Sequence, residues 1–220
     1  MKEVNDFIFV HRGIHDNKKV FENTLEAFLL AKKKGMNIEL DIHLLKDNKV
    51  VVYHDDNLKR LTGIDKDIKD LTYEELKKIK IRNQFMIPLL TDVLTLIDGK
   101  VVLNIEIKDD KRMIDTCKAL VKILDEYTGT FLIQSFHIKY IRWFKKSRKK
   151  YISGYLLNPF KIYSKFYKCD FFVCEKLFIK KKRIQKLRKK VPLFVWTIKS
   201  KEELKYYRQY ADSFIVSIRH

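Results

Sequence analysis

"NIELDIHLLKDNKVVVYHDD", residues 37–56, decides how the rest of the chain is read. Its two short runs rich in Val, Ile and Leu have the length and composition of β-strands around a turn. The same stretch carries Glu39, Asp41, His43, His54 and Asp55 into what should be barrel or sheet interior. Glu39 and Asp41 are two residues apart, so they project to the same side of their strand. Ionisable groups in such a place are costly unless something charged sits among them.

Outward from this stretch, short apolar runs recur: "FIFV", "NIELDI", "VVLNIEI", "TFLIQSF", "YISGYLL", "DFFVCE", "PLFVWTI" and "SFIVSI". Segments of helical period lie between them, namely "TLEAFLLAKKKG", "KRMIDTCKALVKILDEY", "IKYIRWFKKSRKK", "IKKKRIQKLRKK" and "KEELKYYRQY". Asn23 and Thr24 are candidate caps for the first helix and Gly35 its stop. Alternation of strand and helix predicts a parallel sheet with helices outside. With "VVVYH" set aside as part of an excursion, eight strands remain, the number that closes a compact (β/α)8 TIM barrel. Residues 46–91 break the repeat and are read as a small insertion between strands 2 and 3 of a single 1–220 domain. The insertion includes a short helix at "TYEELKKI", where Thr72 and Glu75 have capping-box spacing.

Composition narrows the class. A chain of 220 residues with 46% hydrophobic and 13% aromatic residues buries a full core. Three cysteines, Cys117, Cys169 and Cys174, make neither a disulfide framework nor a paired zinc motif. No leader and no stretch of eighteen apolar residues is legible, so the expected location is cytoplasmic. The net charge of +19 suits phosphate-bearing partners or, equally, reflects a lysine-rich solvated surface.

Chemistry in (β/α)8 barrels sits at the C-terminal ends of the strands. His11 and Arg12 end strand 1, Glu39 and Asp41 lie on strand 2, and Glu106 and Lys108 repeat the spacing on strand 3. His54 closes the excursion strand. Three carboxylates with no thiolate nearby make a hard oxygen site, suited to Mg2+, Ca2+ or Mn2+.

At these residues the chain resembles the glycerophosphodiester phosphodiesterase family: "HRG" at 11–13, "ENTLEAF" at 22–28, "IELDIHLLKDNKVVVYHDDNLKRLTG" at 38–63, "NIEIK" at 104–108 and "VWT" at 195–197. The resemblance implies a TIM barrel that hydrolyses a glycerophosphodiester to glycerol phosphate and an alcohol. It implies Glu39, Asp41 and Glu106 as ligands of one divalent metal. His11 and His54 are implied as the acid and base pair, with base assigned to His11 and acid to His54, and Arg12 and Lys108 as phosphate holders. Trp196, at the end of strand 7, is a wall against glycerol or a core plug; the wall is favoured. His15 and His43 match no assigned role. Two departures stand out: Phe21 replaces the usual proline before "ENT", and strand 8, "SFIVSIRH", lacks the Thr-Asp-x-Pro ending.

Two other functions compete. One is a lysophospholipase D-type activity at a membrane surface, for which the aromatic and lysine-rich "NPFKIYSKFYKCDFF" after strand 5 would form a rim, its alternative being an ordinary outer helix. The other is a non-catalytic basic module; buried carboxylates and the lack of RNP or zinc motifs speak against nucleic acid. The basic segments at 141–150 and 179–190 are expected to form a flank beside that rim, giving peripheral contact with anionic membrane.

Overall fold

The computed structural model describes residues 4–108, 111–157 and 168–218. In chain order the elements are β1 (Ile8–His11), α1 (Leu25–Lys33), β2 (Asn37–Leu44), β3 (Val50–Val52), α2 (Lys59–Thr62), α3 (Tyr73–Leu76), β4 (Lys80–Ile81), β5 (Phe85–Met86), α4 (Leu90–Ile97) and β6 (Leu103–Ile107). They continue with α5 (Met113–Leu124), β7 (Phe131–Ser135), α6 (Ile138–Ser147), β8 (Ile152–Leu156), β9 (Phe171–Glu175), α7 (Lys182–Arg188), β10 (Leu193–Ile198), α8 (Lys201–Tyr207) and β11 (Ser213–Val216). Strands β1, β2, β6, β7, β8, β9, β10 and β11 pair in parallel in that order, and β11 returns to β1, closing an eight-stranded barrel.

Strands enclosed on both faces must be apolar on both faces, which is why these runs lack the alternation of a half-exposed sheet. Inside the barrel Phe9, Leu132, Leu156, Phe171, Val173, Phe194 and Ile215 form one cluster. Phe171 and Phe194 stack there with centroids 4.4 Å apart. Gly154 on β8 is required by this packing, because a Cβ there would run into the Phe171 ring.

The excursion between β2 and β6 carries its own core of Phe21, Leu45, Val51, Tyr53, Leu58, Leu61, Ile68, Leu71, Leu76, Ile81, Phe85 and Ile87. β3 lies antiparallel on the end of β2, with His43 opposite Val51. Phe21, the residue that departs from the family pattern, packs its ring 5.6 Å from that of Phe85. The Thr72–Glu75 capping box forms at α3: Glu75 Oε2 accepts from Thr72 N at 2.8 Å, and Thr72 Oγ1 accepts from Glu75 N at 3.3 Å. Helix α4 was not anticipated, although Leu90, Val93, Leu94 and Ile97 have helical spacing and are all buried. It completes the outer layer between the excursion and β6.

The helices run against the strands, so each begins near the C-terminal ends of the strands and finishes at the opposite end. The described residues of the expected basic flank are therefore divided between the two ends of the barrel. The cationic end of α6, Lys145 and Lys146, lies away from the mouth, and Lys145 pairs with Asp170 at 2.6 Å. Arg148 pairs with Asp125 at 3.1 Å and Arg188 with Asp212 at 2.9 Å. Lys180, Lys181, Lys182 and Arg183, by contrast, stand where α7 begins, on the mouth side. The rim segment read at 158–172 falls mostly on 158–167, outside the described residues. No described helix is long and apolar enough to cross a membrane.

Candidate active site

The loop between β1 and α1 shapes one side of the mouth. Directly after β1, Arg12 has φ of 58° and Gly13 of 80°, so the chain turns at once. Gly13 cannot be replaced, since a Cβ there would sit 2.8 Å from that of Ala27 on α1. The backbone N–H of Arg12 donates to the Glu39 carbonyl at 2.9 Å, tying the turn to β2. Each residue of "ENT" then has a separate task. Glu22 Oε1 accepts from Arg12 Nη1 at 2.8 Å. Asn23 Nδ2 donates to Asp41 Oδ2 at 2.8 Å. Thr24 Oγ1 accepts from Ala27 N and caps α1.

Parallel pairing places Glu39 beside His11 and Asp41 beside Glu106. Glu39, Asp41 and Glu106, all buried, offer one oxygen each within 4.8 Å of one another. Lys108 Nζ donates to Asp41 Oδ1 at 2.7 Å and Glu106 Oε1 at 2.5 Å. Arg12 Nε lies 3.3 Å from Asp41 Oδ2 without the alignment of a hydrogen bond. Beneath them, Gln134 Nε2 approaches Glu39 Oε1 at 3.5 Å, and Gln134 Oε1 accepts from Asn104 Nδ2 at 3.0 Å.

Electrostatics separates the three carboxylates. Burial, then the charges of Asp41 and Glu106, push the Glu39 carboxyl well above its ordinary range. Burial likewise raises Glu106, and Lys108 only partly offsets it. Asp41 is lowered instead, because Lys108 and Arg12 outweigh its burial. Two cationic side chains therefore do not satisfy three acids, and an all-carboxylate set with excess negative charge fits a hard divalent cation. Glu39, Asp41 and Glu106 are the residues that could hold it.

His11 Nε2 lies 4.0 Å from Glu39 Oε2. Burial, then the neighbouring Arg12 charge, hold the imidazole down at about 3, so it is neutral and no ion pair forms. His54 Nδ1 and Asp55 Oδ1 are 2.6 Å apart. Burial lowers the His54 pKa as well. His43 points inward from β2, with Nε2 3.3 Å from the His54 carbonyl, so it supports the backbone under His54. His15 has a buried Nδ1 without a hydrogen-bond partner. Trp196 on β10 meets Phe136, at the end of β7, edge to face at 6.1 Å, and packs on the interior cluster from the mouth side. It thus covers the interior cluster, and Phe136 beside it is 41% exposed.

The mouth brings together His11, Arg12, Glu39, Asp41, His54, Glu106 and Lys108. Sequence reading missed the residues that hold them: Glu22, Asn23 as the anchor of Asp41, Asp55, Arg60, Asn104 and Gln134. The "ENT" and "HDDNLKR" stretches contained four of these. Their signal was polar residues placed beside a strand end, with no period to mark them.

The glycerophosphoryl diester phosphodiesterase family profile matches residues 11–215. A glycerophosphodiester phosphodiesterase of Caldanaerobacter subterraneus subsp. tengcongensis is 38% identical over 151 residues, covering 63% of this chain and 61% of that protein. The chain thus spans 61% of the length of that curated relative. The crystal structure of the Thermotoga maritima glycerophosphodiester phosphodiesterase superposes with a TM-score of 0.77 at 27% identity, covering 97% of this chain and 95% of that one. A phosphodiesterase of Oleispira antarctica, solved with the product sn-glycerol-3-phosphate, shares the fold with a TM-score of 0.84 at 24% identity, covering 96% of this chain and 93% of that one. With a profile match that spans nearly all of the barrel and the acidic mouth it encloses, the chain belongs to the glycerophosphoryl diester phosphodiesterase family.

Proposed function

We propose that this chain is a metal-dependent phosphodiesterase that hydrolyses glycerophosphodiesters to glycerol phosphate and an alcohol. The observation that carries the reading is the meeting of three buried carboxylates, two imidazoles and two cationic side chains at one barrel mouth. The named relatives and the glycerol phosphate held by the Oleispira protein support it.

A phosphodiester is a monoanion whose non-bridging oxygens gain charge in transfer. A divalent cation on Glu39, Asp41 and Glu106 would supply charge neutralisation at those oxygens. Arg12 and Lys108 hold the phosphate: each has N–H donors beyond those used on Glu22, Asp41 and Glu106. His11, kept neutral, takes the proton of the attacking glycerol 2-hydroxyl. His54 gives a proton to the leaving oxygen as its bond to phosphorus breaks. The cyclic phosphate so formed is opened by water with the two roles reversed. Trp196 and Phe136 form the apolar wall against which the glycerol lies.

The test is a turnover panel of glycerophosphocholine, glycerophosphoethanolamine and one lysophospholipid, with Mg2+, Ca2+ or Mn2+ and with chelator. Turnover of the glycerophosphodiesters that requires one of the cations is expected. A preference for the lysophospholipid transfers the assignment to the lysophospholipase D reading. Silence on all three with every cation removes both.

A further inference from the structure

We infer that Arg60 is a positioning residue that, anchored on Glu22, fixes the orientation and tautomer of His54 through Asp55. The inference rests on the proposed reading of His54 as the group that protonates the leaving oxygen.

Arg60 is not on the barrel. It belongs to α2, a single turn of the excursion, whose Leu61 is buried in the excursion core. From there its guanidinium spans two carboxylates on separate segments. Nε donates to Asp55 Oδ2 at 2.5 Å. Nη2 donates to Glu22 Oε1 at 2.6 Å, and Nη1 reaches Glu22 Oε2 at 3.3 Å. Glu22 is itself held by Asn17 Nδ2 at 2.7 Å and by Arg12 at 2.8 Å. Asp55 thus has one oxygen on Arg60 and the other on His54 Nδ1, at 2.6 Å.

That arrangement does for His54 what an isolated His–Asp pair on a loop does not. An aspartate with one free oxygen swings about its χ angles and carries the imidazole with it. Tethering Oδ2 removes that freedom. With Nδ1–H directed at Asp55, the nitrogen left for proton transfer is Nε2. In the first step His54 starts as the imidazolium, paired with the Asp55 carboxylate, and its Nε2 proton goes to the leaving oxygen as the P–O bond breaks, leaving the neutral Nδ1–H tautomer. In the second step Nε2 takes a proton back from the attacking water, and Asp55 remains a carboxylate throughout. Only arginine has the fork to meet both carboxylates, since a lysine ammonium at the same place is a point charge on a flexible stem. Stability is not the main product of the Asp55 side of the contact: the Arg60 side chain is 44% exposed, that of Asp55 24% and that of His54 31%, and exposed pairs contribute little.

The experiment compares two substrates with the same glycerol phosphate and different leaving groups. One releases choline, a poor leaving group that needs the acid. The other releases p-nitrophenolate, which departs without it. For Arg60→Ala, kcat on the choline ester is expected to fall by roughly 10²-fold and on the aryl ester by less than about threefold. Arg60→Lys, which keeps the charge and guards against a folding defect, is expected to show the same asymmetry at a smaller size. Asp55→Ala with Arg60→Ala should be no slower than Asp55→Ala alone, because the two act as a unit. Equal losses on the two esters, or additive losses in the double variant, would overturn the inference. A wild-type protein that cleaves neither ester would instead overturn the phosphodiesterase reading beneath it.

Discussion

Glu22 offers the sharpest measurement, because its electrostatics and its geometry give the same magnitude. Its side chain is 4% exposed and accepts from Arg12, Arg60 and Asn17. Burial alone would raise the carboxyl, but the Arg60 hydrogen bond, the Arg12 charge and the Asn17 amide outweigh it and hold it at about 2 against an ordinary 4.5. At about 1.4 kcal/mol for each tenfold in acidity, that displacement corresponds to roughly 3 kcal/mol of folding free energy. Removing one partner of a buried charge pair costs about 3–5 kcal/mol in general, and the half-exposed Arg60 places this case at the lower end. Glu22→Gln keeps the shape and deletes the charge. Urea unfolding at pH 7 should therefore show a loss of roughly 2–3 kcal/mol relative to wild type. The sign of the pH dependence follows from a folded-state pKa below the unfolded one. The stabilisation is complete above pH 4.5 and drains away as the pH falls toward 2, so the gap between the two proteins should narrow over that window. A gap below about 1 kcal/mol at pH 7, or one that stays constant down to pH 3, would refute the assignment of Glu22 as the ionised centre of this cluster.

Three further outcomes are expected. His11→Ala and His54→Ala should each lower kcat by roughly 10²-fold or more while far-UV circular dichroism is retained; near wild-type rates in both place the proton transfers elsewhere. Adding Mg2+ or Ca2+ to chelated protein should raise its melting temperature, since a cation that binds only the folded acidic cluster stabilises it by mass action; the same cation should leave Asp41→Asn unmoved, and an equal shift in that variant would point to another site. Sedimentation with anionic liposomes at low salt should carry the protein down, and high salt should release it, each lysine near the surface contributing on the order of 1 kcal/mol. Equal behaviour toward neutral liposomes would leave the +19 charge without a membrane role.

The sequence by itself determined the barrel, because a strand buried on both faces writes a continuous apolar run and a helix writes a period, and eight such runs appear in order. It also marked the acids. Glu39, Asp41 and Glu106 stand out because charge within apolar strands is rare, and the two-residue spacing sets which side they share. His11 and His54 acquired meaning only as members of a recognised set. The holding network stayed hidden for a physical reason: Asn23 bonds Asp41 across 18 positions, Arg60 reaches Glu22 across 38, and Gln134 approaches Glu39 across 95. Such pairs have no periodicity, since their partners meet only once the barrel closes and the excursion folds against its rim. Burial was decided there too. Glu39 and Asp41 sit two apart on one strand and look alike in sequence, yet Lys108 and Arg12 lower the pKa of Asp41 while burial and the neighbouring carboxylates raise that of Glu39. That division depends on which charges the parallel register sets beside each carboxylate, and register belongs to the tertiary structure.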